Sequence, residues 1–156
     1  MLRARVVRCY SNSFQSGFVL DNRVLILDDA RGPHFTVNNL SNILNHSCWW
    51  PVVESGLYRP FTTFSYLVNY AVLGNGDRPA GYHAVNLLLH MANVLLVLAL
   101  GLRLSRNLWL ATAIAAVWAV HPVATEAVTN IVGRADLLAA FGSLGALAAY
   151  LNARDS

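Results

Sequence analysis

The chain has 156 residues, of which 56% are hydrophobic and only 12% charged, and its mean hydropathy is +0.45; soluble domains carry roughly 25% charged residues, so a membrane protein is indicated. All eleven basic residues are arginines, scattered without a basic run, and the net charge is +3, so the sequence pI of 9.2 does not point to nucleic acid. Cys9 and Cys48 fit no CxxC or Cys/His spacing, which leaves no thiolate metal site to read.

In chain order, MLRARVVRCYSNSF has the basic flank of a signal peptide without its apolar core. Residues 1–80 are mixed and read as a first extracytoplasmic loop. VLIL, residues 24–27, is a short β-type run between polar turns. Residues 36–50 predict a short helix capped by Thr36 or Asn38. Trp49, Trp50 and Tyr58 suit a membrane–water boundary. PFTTFSYLVNYAVLG, residues 60–74, is too short to span and predicts an interfacial helix, with Pro60 opening it and Gly74 ending it. NGDRP, residues 75–79, is a turn. Asn39-Leu40-Ser41 and Asn45-His46-Ser47 match the glycosylation triplet, a pattern common by chance.

Residues 81–152 predict three membrane helices, Tyr82 to Leu104, Leu108 to Val120 and Asp136 to Leu151, followed by a tail at 153–156. The second reaches only about 20 Å, against a hydrocarbon core of about 30 Å. Either it runs on past Pro122, or His121 sits below the surface in a protein-lined cavity. Ala111, Ala115 and Ala119 recur at every fourth residue, as do the pairs Gly142/Ala146 and Gly145/Ala149, a spacing that lets helices approach closely in lipid. The short connection RLSRN argues for a cytoplasmic position, which puts residues 121–136 and 1–80 on the opposite side. Seven arginines in the first 80 residues oppose this orientation, and the conflict suggests a missing upstream span.

Polar groups mark the rest. His83, Asn86, His90 and Asn93 fall within roughly an 80° arc of the first span. Such a stripe either hydrogen-bonds neighbouring helices or, nearer the mouth at His83, serves a site. HPVATEAVTNIVGRAD, residues 121–136, brings His121, Glu126, Arg134 and Asp136 into one connection between apolar runs. A capped turn, with Arg134 paired to Glu126 and Asp136 at a helix start, is the plain reading, and a reaction site is the sharper one. In the first loop Asp21 follows the apolar GFVL and is the better site candidate, whereas Asp28 and Asp29 read as turn residues.

GFVLDNRVLILDD, YRPFTTFSYLVNYAVLG, GYHAVNLLLH and HPVATEAVTNIVGRADLLAA occur in that order. Together they resemble the N-terminal membrane part of the transmembrane and tetratricopeptide-repeat O-mannosyltransferases and their bacterial relatives, within the C-type glycosyltransferase superfamily. The resemblance covers about residues 12 to 152. It implies a multi-pass membrane enzyme, its site on the extracytoplasmic face of the bacterial inner membrane or an equivalent membrane. Such an enzyme moves a mannose-type sugar from a polyprenyl-phosphate donor to a protein or lipid acceptor. Asp21 matches the first acid of the family's loop motif, while Asn22 stands where a second acid is usual. Asp28 or Asp29 could stand in for it.

On this reading Asp21 is the catalytic base and Glu126 its partner carboxylate. Arg59, His83, His121, Arg134 and Asp136 are candidates for binding the donor phosphate and substrate. Asp21 and Glu126 could also supply oxygen ligands to a divalent metal. The expected fold is all-α membrane, with three transmembrane helices and interfacial helices in a long first loop. It is expected to be a fragment of a larger multi-span fold, inactive alone, with no tetratricopeptide repeat in it. The alternative is a small non-enzymatic membrane assembly subunit or a transporter piece, its polar stripe serving helix contacts.

Overall fold

A computed structural model describes Tyr10 and residues 17–18, 21–32 and 34–154. Within them every regular element is helical, and no strand is present. The β-type run expected at VLIL is instead a single π-helical turn, Arg23–Leu27, closed by Asp28 N–H donating to Arg23 O at 3.1 Å. An isolated strand would leave its amides without a ladder. Five residues wound on themselves satisfy part of that need locally and still bury Leu25 and Ile26.

Helix α1, Val37–Asn45, is shorter than the sequence suggests. Its N-cap is Thr36, whose hydroxyl accepts from Asn39 N–H at 3.1 Å. Helix α2, Pro60–Leu67, runs into a π-helical turn, Val68–Val72, and stops at Gly74, whose φ of +66° is easily reached only without a side chain. Helix α3, Pro79–Ser105, takes in Pro79 at its first turn, where the missing amide costs nothing, and ends on Arg106 in a left-handed cap. Asn107 then caps α4, Leu108–Val120, by accepting from the amides of Trp109 and Leu110. A break at His121 leads into α5, Pro122–Thr129. A 3-10 turn, Ile131–Gly133, leads into α6, Arg134–Arg154, which starts two residues earlier than the sequence suggests.

Two of these helices are long and apolar enough to cross a membrane, α3 and the run Ile131–Arg154. Helices α4 and α5 are bent by 56° and supply a third crossing if the pair counts as one broken span. Ala111, Ala115 and Ala119 are fully buried, and Gly101 on α3 lies so close to Ala111 that an added Cβ would come within 3.3 Å of its Cα. The alanine spacing therefore does bring α4 against α3. The glycine pairs of α6 do not act this way here: Gly142 is exposed and Gly145 half-buried, with nothing within 4 Å of an added Cβ at either.

The core divides in two. Leu87, Val94, Ala115, Val128 and Leu137 join α3 to α6 through the bundle. Leu25, Ile26, Cys48, Tyr66, Tyr82 and Ile131 form a second cluster that ties the first loop and α2 to one end of that bundle.

Candidate functional site

Each helix break in the second half leaves carbonyls without intrahelical amides. Pro122 has no N–H to give, and Val123 N–H turns aside to His121 Nδ1 at 3.2 Å. Ala119 O is thereby freed, and it accepts from His90 Nε2 at 3.0 Å and from Tyr10 Oη at 3.3 Å. At the next break Asn86 Nδ2 donates to Asn130 O at 3.0 Å and to Ile131 O at 3.4 Å, and Tyr66 Oη donates to Ile131 O at 3.1 Å. Asn93 Nδ2 reaches Leu137 O at 3.0 Å in the first turn of α6. Three of the four stripe residues thus serve as helix-to-helix hydrogen bonds. Burial pushes the Tyr66 hydroxyl up to about 12, so it remains a donor at neutral pH.

Arg134 is fully buried at the start of α6. Its Nε donates to Asn86 Oδ1 at 2.8 Å and its Nη2 to Tyr82 O at 3.0 Å. Nη1 reaches Ser65 O at 3.3 Å and Ser65 Oγ at 3.4 Å. The guanidinium also lies over the rings of Tyr66 and Tyr82, 4.9 and 5.7 Å from their centroids. The pairing of Arg134 with Glu126 expected of a simple capped turn is absent. Among the described residues the ion pairs are Arg31–Asp29 and His46–Glu54. Gly133 allows this arrangement, since a Cβ there would come within 2.6 Å of the Ala127 backbone.

The first loop meets this end of the bundle through Asn22. Its Oδ1 accepts from Val132 N–H at 3.1 Å, an amide shared with Asn130 Oδ1 at 3.2 Å. Asp21, the residue before it, is exposed. Arg59 is half-buried and lines a small recess with Leu25, Cys48, Tyr66 and Val132. Four segments therefore converge: the Asp21–Leu27 stretch, the start of α2, the start of α3, and the 130–134 turn. His83 is buried in the first turns of α3. Glu126 is exposed on α5.

His121 and Asp136, both exposed, lie along a second feature. This is a largely apolar crevice of about 800 Å³ between α4, α5 and α6, into which His90 and Asn93 also face. Five of the seven sequence-derived candidates thus fall into two groups, Asp21, Arg59 and Arg134 around the 130–134 turn, and His121 and Asp136 along the crevice, while His83 and Glu126 line neither the recess nor the crevice. Among the described residues no three His, Cys, Asp or Glu side chains come together to hold a metal. Asp29, considered above as a stand-in acid, is buried and held by Arg31. Sequence reasoning did not anticipate the parts of Asn22, Asn130, Ser65 and Tyr66. Only Asn130, a capping type just before an apolar run, carried a signal that could have been read.

Comparison with known proteins bears on what this end of the bundle belongs to. The chain is 40% identical over 132 positions to the Drosophila melanogaster protein O-mannosyl-transferase Tmtc1, a match covering 82% of the chain and 15% of the relative. It is 37% identical over 146 positions to Tmtc2 from the same organism, covering 91% and 15%. It is 35% identical over 162 positions to the Homo sapiens protein O-mannosyl-transferase TMTC4, covering 93% and 22%. The chain is a homologue of the TMTC O-mannosyltransferases. It spans only 15 to 22% of the length of these relatives. No family model and no solved structure matches it.

Proposed function

We propose that the chain is the donor-side and acceptor-side rim of a TMTC-type membrane mannosyltransferase, and that its reaction takes place on the extracytoplasmic face. The sugar comes from a polyprenyl-phosphate carrier. The acceptor hydroxyl oxygen bonds to the anomeric carbon as the bond to the phosphate oxygen breaks. The hydroxyl proton passes to the Asp21 carboxylate, and polyprenyl phosphate leaves. A protein acceptor is favoured over a lipid because the relatives are named protein O-mannosyl-transferases.

The developing phosphate charge calls for cations or donors. Arg59, His83 and His121 are proposed in that role, with Glu126 and Asp136 as acceptors for substrate hydroxyls. Direct phosphate contact by Arg134 requires it to exchange at least one of its bonds to Asn86, Tyr82 or Ser65. On this reading 1–80 is an extracytoplasmic loop in which α2 and the π-helical turn after it rest on the membrane surface, where Phe61 and Val72 are exposed. Residues 81–152 then form three spans, with α4 and α5 as one broken crossing.

The observation that carries the reading is the contact between Asn22 and Val132, residues 110 positions apart, which sets the acid-bearing loop beside the 130–134 turn. The test is mannosyl transfer from a polyprenyl-phosphate donor by the intact protein. Asp21→Asn should abolish transfer, with detergent-phase elution and thermal unfolding unchanged. A fully active Asp21→Asn variant removes the proposed base.

A further inference from the structure

We infer that Asn22 is a positioning residue for Asp21, and that its role calls for a hydrogen-bond acceptor rather than a second acid. The inference rests on the mannosyltransferase reading above. At sequence level Asn22 is a departure from the family pattern. In the fold its side chain is 6% exposed and turned inward, while its neighbour Asp21 faces out. Successive residues in a helical turn point about 100° apart, so fixing one side chain fixes the direction of the other.

Asn22 Oδ1 accepts from Val132 N–H. That amide lies two residues before Arg134, whose own bonds hold α2 and α3. The tie is reinforced by packing, because Leu25 and Ile26 of the same turn share a buried cluster with Tyr66, Tyr82 and Ile131. Asn130 Oδ1 already satisfies Val132 N–H from within its own turn. The Asn22 bond is therefore not needed to cap that turn, and what it adds is the registry between two segments distant in sequence. An aspartate at position 22 would present the same acceptor. A leucine, alike in branched shape though bulkier, would present none.

The experiment uses the intact protein carrying Asn22→Leu or Asn22→Asp, with steady-state transfer kinetics and amide hydrogen exchange of the 130–134 segment. Asn22→Leu should lower kcat roughly 10- to 100-fold with KM little changed, the size of effect expected when a reacting group is displaced by about 1 Å. Asn22→Asp should keep kcat within about threefold, since the acceptor is retained. In an Asn130→Ala background, where Asn22 alone serves Val132 N–H, adding Asn22→Leu should speed exchange of the segment and adding Asn22→Asp should not. An unchanged kcat in Asn22→Leu overturns the positioning role, as does an Asn22→Asp variant as slow as Asn22→Leu. Unchanged exchange in the Asn130→Ala, Asn22→Leu double variant overturns the tie itself. If even the wild-type protein transfers no sugar, the mannosyltransferase reading fails, and the exchange measurement still decides whether Asn22 makes this tie.

Discussion

Two buried arginines solve the same problem in opposite ways. Arg31, 1% exposed, closes on the carboxylate of Asp29 two residues before it, with Nε and Nη2 bonds of 2.7 to 3.1 Å. It spends its remaining reach on Ser47 O and Cys48 O, both at 3.1 Å, and lies over Trp50. The result is a locally neutral knot that shapes one loop. Arg134 has no carboxylate partner among the described residues. It leans on a carboxamide, two carbonyls, a hydroxyl and two aromatic faces drawn from α2 and α3. Its positive charge is solvated by dipoles and left uncancelled. An arginine that cancels its charge organises its own neighbourhood. One that does not can hold distant elements together and still bias the field at the end of a bundle.

The comparison can be broken most severely at Arg134. Arg134→Met removes the fork, leaves buried Asn86 Oδ1 without a donor at a cost of about 1–3 kcal/mol, and strips Tyr82 O and Ser65 O of a second donor beside their intrahelical amides. A loss of roughly 4 kcal/mol is expected, read as a lower thermal midpoint and poor recovery from detergent. A variant as stable as the wild type would show the clamp to be decorative. Asp29→Asn comes next. It keeps the shape but strips Arg31 of its counter-charge, and breaking a buried pair costs about 3 kcal/mol. The damage should stay local, with faster proteolysis in residues 28–50 and unchanged protection in α3. Asn86→Asp should have the smallest effect and sharpens the contrast most, since it offers Arg134 the carboxylate that Arg31 already has. The new ion pair offsets the lost Nδ2 donation to Asn130 O, for a net change within about 1 kcal/mol.

Features governed by local rules were legible in the sequence. Thr36 does cap α1, Gly74 ends the α2 segment, and α4 runs Leu108–Val120 as its apolar pattern suggests. The polar stripe of α3 was also visible, because helical periodicity alone puts Asn86, His90 and Asn93 on one face. The roles of these residues were not visible, because their partners are main-chain carbonyls 29 to 45 positions away, at or next to helix breaks. VLIL misled because β-branched and aliphatic residues announce burial as much as extension, and without a neighbouring strand burial was satisfied by a π-helical turn. Asn22 looked like a missing acid because its partner amide is 110 residues away. Asp21 could be named from the resemblance, whereas the contact of its neighbour Asn22 with Val132 could not.

The elbow at His121 has a consequence for the surrounding lipid. Helix α3, with 27 residues, is long enough for a full bilayer, whereas α4 has 13 residues before the chain bends by 56°. A helix of that length rises only about 20 Å. Lipids alongside α4 therefore face a shortened apolar wall while those behind α3 face a complete one, and the cheapest accommodation is a dimple in the nearer leaflet. Headgroups and water drawn into such a depression would sit at the level of the helix break.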